Sequence, residues 1–244
     1  TLTVAGLDVG QGSSTLLYSK GHTVLIDCGG NGGDDPGDTA ADYIQSLGTS
    51  RLDALILTHF RSDHACGVPQ LLSRIEVSQL ILPDITQEDE LRQEILSLAE
   101  ALNCKVSFLS EDSSLPLGNA GLMIYAPMGD GGSNEEGLSV LCSADGFDLL
   151  ITGDMNSVVE RRLVKYKNLP DIELLVVGHH GSKNSTSEEL LLATAPELAV
   201  ISSGYNSYRH PSTEVLERLG AAGCDIYLTS SMGTVTFTIK GETP

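Results

Sequence analysis

Three times between residues 147 and 219, a short apolar run stops abruptly on polar residues and a helical pattern begins. Phe147–Thr152 leads into Gly153-Asp154 and a helix from about Asn156 to Tyr166. Ile172–Val177 leads into Gly178-His179-His180-Gly181-Ser182-Lys183 and a helix over Ser187–Ala193. Leu198–Ser202 leads into a loop ending Arg209-His210-Pro211 and a helix that runs to Leu219. Apolar runs of this length bounded by turn residues read as strands, and their alternation with helices marks an α/β chain.

The earlier part of the chain opens on strands. Leu2–Val9, Ser14–Ser19 and His22–Asp27 form a predicted meander, with a hairpin turn at Lys20-Gly21. A helix follows over Asp38–Leu47, stopped by Gly48. Leu52–Leu57 reads as one buried strand and Ser78–Leu82 as another. Gln87–Leu102 carries Leu91, Ile95, Leu98 and Leu102 at helical spacing, a stripe that belongs to the core. Further strands are expected at Lys105–Leu109, Gly121–Ala126, Leu138–Ser143, Asp225–Thr229 and Thr234–Lys240. The Gly-rich loop Met128–Gly137 is expected to be mobile. Each half is β-rich first and α/β later, which predicts two packed sheets with helices outside, a four-layer αββα sandwich. No linker-like break divides the chain, so residues 1–244 are expected to be a single domain.

The chemistry gathers at the ends of these strands. In Leu55–Val68 the apolar run gives way to Thr58-His59-Phe60-Arg61-Ser62-Asp63-His64. His59 and His64 would face different sides of a straight helix, but a loop wrapping from strand to helix can bring His59, Asp63 and His64 to one point. Imidazole and carboxylate ligands suit zinc, manganese or iron. Five of the six His (59, 64, 179, 180 and 210) follow predicted strands, and Asp154 follows another. Asp154 either caps the next helix or, taken with the His residues, bridges two metal ions. Such a pair activates water and stabilises both oxygens of an in-line displacement at phosphorus.

A net charge of −19 excludes a generally basic nucleic-acid or anionic-membrane binder, and bound divalent cations would offset it locally. The five Cys contain no CxxC pair, which argues against a structural zinc site and for reduced thiols. No apolar run is long enough to span a membrane, and no signal peptide is visible. The chain begins without Met, as a processed or excised fragment would.

Seven stretches in order resemble the metallo-β-lactamase-fold hydrolases, and more narrowly the ComEC-type domain of bacterial DNA-uptake channels. They are Asp8-Val9-Gly10-Gln11-Gly12, Leu25–Gly30, Thr58-His59 with Asp63-His64, Asn134 with Ser139, Thr152-Gly153-Asp154, His179–Ser185, and Ser202–Pro211. The resemblance implies an αββα fold, one or two divalent metal ions (manganese or zinc) and nuclease activity on DNA, with single strands the expected substrate. It implies His59, Asp63, His64, Asp154 and His179 as metal ligands. Asp63, Asp154, His180, Lys183 and His210 would serve catalysis, and Arg61, Ser182, Lys183, Asn184 and His210 would meet substrate. Asp8, Asp27, Asn134 and Ser139 would support the ligands. Arg61 stands where the wider superfamily has a second His, and Ser13 where this branch usually has Asp, so the first metal site departs from the pattern. The resemblance also implies a membrane channel portion of the same polypeptide as partner and an extracytoplasmic setting; the chain is expected to be a monomer. Two alternatives stand beside the nuclease: hydrolysis of a small ester, thioester or lactam, and a degenerate domain that binds DNA or a partner without catalysis.

Overall fold

The structure, a computed structural model, describes residues 1–85, 90–128 and 136–241. The first half runs β1 (Leu2–Gly6), β2 (Thr15–Ser19), β3 (His22–Ile26), α1 (Pro36–Ser46), β4 (Arg51–Leu52), β5 (Ala54–Ile56), α2 (Ser62–Ala65), α3 (Val68–Arg74), β6 (Glu76–Val77), β7 (Gln79–Pro83), α4 (Glu90–Ala101) and β8 (Lys105–Leu109). The second runs β9 (Ser113–Leu117), β10 (Ala120–Tyr125), β11 (Ser139–Ala144), β12 (Phe147–Ile151), α5 (Ser157–Tyr166), β13 (Leu174–Val176), α6 (Glu188–Thr194), β14 (Leu198–Ile201), α7 (Thr213–Ala221), β15 (Asp225–Leu228), α8 (Thr229–Met232) and β16 (Val235–Ile239).

Two seven-stranded sheets result, in the orders β16-β1-β2-β3-β5-β7-β8 and β15-β14-β13-β12-β11-β10-β9. Their central strands are buried on both faces, and successive residues feed different cores. Val24, Ile26, Ala54 and Ile56 point between the sheets, where they meet Leu149, Ile151, Leu174 and Val176. Leu25, Leu55, Leu80 and Leu82 point outward against helices α1, α3 and α4. On the far side Leu150, Leu175, Ala199 and Ile201 pack with Val159, Leu163, Leu190 and Val215 of α5, α6 and α7. The layers are therefore αββα, as expected. Each fully buried Leu or Ile contributes about 1.5–3 kcal/mol, so the period-two alternation fixes both register and layer order.

Two local expectations change. The run Leu52–Leu57 is not one strand: β4 pairs with β6 in a separate ribbon, and β5 enters the main sheet. Asp53 makes the break, its Oδ2 accepting the Thr23 N–H at 2.9 Å and facing His22 Nδ1 at 3.2 Å. The edge strand β9 and the short helix α8 had no clear signal, because Pro116 and paired serines disguise β9. An edge tolerates Pro because its missing N–H faces no neighbour. Gln87, the expected start of α4, and most of the loop 128–137 lie outside the described residues. All five cysteines are free, and no helix among the described residues is long and apolar enough to cross a membrane.

The topology decides where chemistry is possible. Strands β3, β5, β7 and β8 run parallel in one sheet, and β12, β13, β14 and β15 in the other. The carboxyl ends of β3 and β5 face those of β12, β13 and β14 across one edge of the sandwich, the usual place for a site in open parallel sheets.

Candidate metal centre

The first sheet supplies a buried and tightly bonded half. Asp27 ends β3 in the left-handed region (φ 60°) and is fully buried. Its Oδ1 accepts the Thr58 N–H at 2.7 Å, and its Oδ2 accepts the Thr58 hydroxyl at 2.9 Å. His64 Nδ1 lies 2.7 Å from the same Oδ2. An ionised carboxylate only accepts, so this imidazole carries its proton on Nδ1 and directs Nε2 inward. Helix α2 is held in place by Cys28 N–H to His64 O (2.8 Å) and Ser13 N–H to Asp63 O (2.9 Å). Gly29 is required beside it, because a Cβ there would come within 2.5 Å of the Ala65 nitrogen.

The second sheet supplies Asp154, His179 and His180. Helix α5 is capped by Asn156, whose Oδ1 accepts from Val158 and Val159, so Asp154 is not spent as a cap. Its carboxylate is nearly fully buried. His179 (φ 50°) and His180 (φ 53°) are consecutive left-handed residues without being glycine, a conformation costing on the order of 1–3 kcal/mol each and concentrated at functional sites. The turn swings His180 inward, where its Nδ1 lies 3.1 Å from the Ser202 carbonyl oxygen. A carbonyl cannot donate, so Nε2 is again the atom left with a lone pair.

Those lone pairs converge on carboxylates. His64 Nε2 is 3.0 Å from Asp154 Oδ1, His180 Nε2 is 3.4 Å from Asp63 Oδ2, and His59 Nε2 is 3.5 Å from Asp154 Oδ2. One ligand atom from each of Asp63, His64, Asp154 and His180 lies within 4.8 Å of the others. Three imidazole Nε2 atoms (59, 64, 180) and Asp154 Oδ1 are buried without a properly directed hydrogen-bond partner, despite the short His64–Asp154 separation. Acceptors that face one another in a dry pocket are costly unless a proton or a metal cation joins them. A divalent metal ion fits this donor set.

The same arrangement sets the protonation states of the metal-free centre. Burial works against charge on His64, but Asp154 and Asp27 outweigh it and hold its pKa well above the ordinary value. Burial and the His64 charge push His59 down to about 4. Burial would raise Asp63, but the neighbouring His180 imidazole and the His64 charge bring it down to about 2. Burial likewise opposes the Asp154 charge, and His64 and His59 hold its pKa well below the carboxylate range.

The other sequence candidates fall at different depths. His179 stands at the rim, 28% exposed, with Nε2 3.7 Å from Asp154 Oδ2. Its ring lies 5.7 Å from that of His210. Ser182, Lys183, Asn184 and His210 line one open cleft of about 890 Å³ beside the centre. Arg61 is exposed at the start of α2, while Asp27 and Asp154 are engaged by Thr58 and the histidines. Asp8 is exposed, and its Oδ1 accepts the Gly10 N–H at 3.3 Å, the arrangement of a turn former. Ser139 is fully buried with its hydroxyl unpartnered, and Asn134 lies outside the described residues. Glu160 was overlooked: fully buried in α5, it accepts the N–H groups of Thr186 (2.6 Å) and Ser187 (2.8 Å) and so anchors the loop that carries Ser182–Asn184. An acidic residue between Val159 and Leu163 on the inward face of a helix was the available signal.

A sandwich with a His/Asp centre at the strand ends defines a metallo-hydrolase type of architecture. Residues 7–205 match the Metallo-beta-lactamase superfamily, and the chain belongs to that superfamily. Its relatives point more narrowly to competence proteins of the ComEC type. ComE operon protein 3 of Bacillus subtilis is 27% identical over 97% of the chain, Recombination protein 2 of Haemophilus influenzae 32% over 90%, and competence protein ComA of Neisseria gonorrhoeae 30% over 94%. The chain spans only 33%, 26% and 31% of their respective lengths. Among solved structures, the metallo-beta-lactamase fold protein YhfI of Bacillus subtilis superposes with a TM-score of 0.68 at 11% identity, covering 97% of this chain and 98% of that one. The diiron beta-hydroxylase CmlA of Streptomyces venezuelae gives 0.65 at 14% identity, covering 98% and 54%. At such identities the likeness is one of fold.

Proposed function

We propose that this chain is a metal-dependent phosphodiesterase that hydrolyses DNA, with a divalent ion, manganese or zinc, held by Asp63, His64, Asp154 and His180. The observation that carries it is the pair of imidazoles locked by Asp27 and the Ser202 carbonyl, whose free Nε2 atoms face Asp63 and Asp154 next to a cleft bearing Lys183 and Arg209. Relatives named for competence and recombination support DNA as the substrate. The ion would supply Lewis acidity and bring the pKa of water down towards about 7. The protein's own groups do the rest. Asp27 and Ser202 fix tautomers, Lys183 and Ser182 hold the phosphate, and His210, at the cleft wall, is placed to contact the substrate. His179 orients the phosphate at the rim.

Cleavage of a labelled oligonucleotide with manganese, magnesium, zinc or chelator, beside Asp154→Ala, tests this. Metal-dependent cutting that is absent in the variant is expected; a metal-loaded wild type that cuts nothing would refute it. Hydrolysis of a small neutral ester is the second reading, favoured by a centre that is complete without the cleft cations. Lys183→Ala separates the two: it should lower DNA cleavage about tenfold and leave a neutral ester untouched.

A further inference from the structure

The loop between β14 and α7 exposes two large aromatic rings, and one of them, Tyr208, lines the cleft beside the candidate centre. Tyr205 is 97% exposed and Tyr208 74% exposed, in a chain with 7 Tyr, 4 Phe and no Trp. Neither ring is left outside by a loose loop. Asn206, between them, donates from Nδ2 to the carbonyls of Gly204 (2.9 Å) and His210 (2.8 Å), and its Oδ1 accepts the His210 N–H at 3.0 Å. Gln11 Oε1 accepts the Gly204 N–H from the opposite sheet. The loop is thus braced at both ends, and the tyrosines are presented on a fixed frame.

Their surroundings suit one kind of ligand. Tyr208, Arg209, His210 and Lys183 line the same cleft, whose lining includes one carboxylate, Glu214. Two cations in one cleft are notable where 14 Lys and Arg face 33 Asp and Glu in the whole chain. From Tyr208 the rings step inward: Tyr208 to His210 at 5.8 Å, His210 to His179 at 5.7 Å, and His64 to His180 at 5.1 Å in the centre itself. Aromatic faces beside backbone-reading cations are the means by which proteins hold single-stranded nucleic acid, since every base has a face to stack and a duplex keeps its own occupied.

We propose that Tyr205 and Tyr208 form a stacking platform for the bases of a single nucleic-acid strand, whose phosphates run along Arg209 and Lys183 into the His/Asp centre. The platform selects single strands over duplex. This rests on the phosphodiesterase reading, but its binding step can be measured apart from cleavage. The test is fluorescence anisotropy of a labelled phosphorothioate 12-mer, of the same sequence as a duplex, and of an abasic strand, all with manganese present. Tyr205→Ala/Tyr208→Ala is expected to weaken single-strand binding about tenfold or more, to leave duplex and abasic strands unchanged, and to raise KM rather than lower kcat. Tyr205→Phe/Tyr208→Phe, which keeps the rings, should bind within about twofold of wild type. Equal affinity in wild type and the double Ala protein, an equal loss for duplex, or no strand binding by wild type would overturn the platform. Should the double variant fold poorly, the single Tyr208→Ala protein carries the same comparison. Tyrosine-dependent binding without cleavage under any metal would uphold the platform and overturn the phosphodiesterase.

Discussion

The two sheets contribute to the centre in different ways. On the first-sheet side, Asp27, Thr58 and His64 are buried and mutually hydrogen bonded, and helix α2 is tied to two neighbouring loops. On the second-sheet side, two left-handed histidines stand above a loop anchored from behind by Glu160, and the chain ends its turn with exposed tyrosines. The first side has one arrangement available and is suited to hold a cation. The second adds two inward candidate ligands, Asp154 and His180, and a rim that meets solvent and is suited to meet substrate. The contrast sets the buried groups proposed to bind metal apart from the rim proposed to meet substrate, and each can be broken alone.

The largest break is Asp154→Ala, because Asp154 faces His64, His59 and His179 at once. Hydrolysis should fall by more than the roughly 10–100-fold typical of losing a ligand's supporting partner, measured as initial rate at saturating metal. Asp27→Asn removes only such a partner. It should weaken metal binding by about 10–100-fold while leaving single-strand binding through the tyrosine loop intact, as read by metal titration and by anisotropy.

Much of this division was visible in the sequence, and the reason is geometric. A parallel strand ends at the edge of the sandwich where the candidate centre lies, so each abrupt switch from apolar to polar marked a loop that reaches it: Leu57 to His59, Thr152 to Asp154, Val177 to His179. The layers were read from each half opening on strands and then alternating strand with helix, and the burial of Leu25 and Leu55 on one face and Ile26 and Ile56 on the other agrees. What could not be read were distinctions made only in three dimensions. His179 and His180 are adjacent and chemically identical, and a left-handed turn decides which one faces Asp63. Asp27 meets His64 across a separation of 37 residues. Asp53 broke an apolar run because its carboxylate was needed by Thr23 in the next strand. Tyr205 and Tyr208 follow no periodicity at all.

Acidity sets the two sides apart as well. The metal-free His64 is held protonated by Asp154 and Asp27, and an ion can take its Nε2 only if that proton leaves. With the pKa raised, a metal ion must compete with that proton, so metal affinity should fall by up to about tenfold per pH unit as pH is lowered from 8 to 6. Calorimetric titration in two buffers of different ionisation enthalpy would count the released proton. Single-strand binding, which involves no such proton, should change much less.

The smallest expected effect lies on the second-sheet side. Glu160 offers one oxygen to each of two N–H groups, and an amide in its place would turn a donor towards a donor. Glu160→Gln should cost about 1–3 kcal/mol of stability, read by denaturant unfolding, and raise KM for DNA a few-fold with metal binding preserved. A loss of metal instead would show that the two sides are not independent.

The most direct test is to titrate chelator-treated protein with manganese and zinc, comparing wild type with His180→Ala and His179→Ala. Saturable uptake by wild type and His179→Ala, lost in His180→Ala, is the predicted result. Uptake that survives in His180→Ala but not in His179→Ala, or no uptake by wild type at all, would contradict a centre built from Asp63, His64, Asp154 and His180.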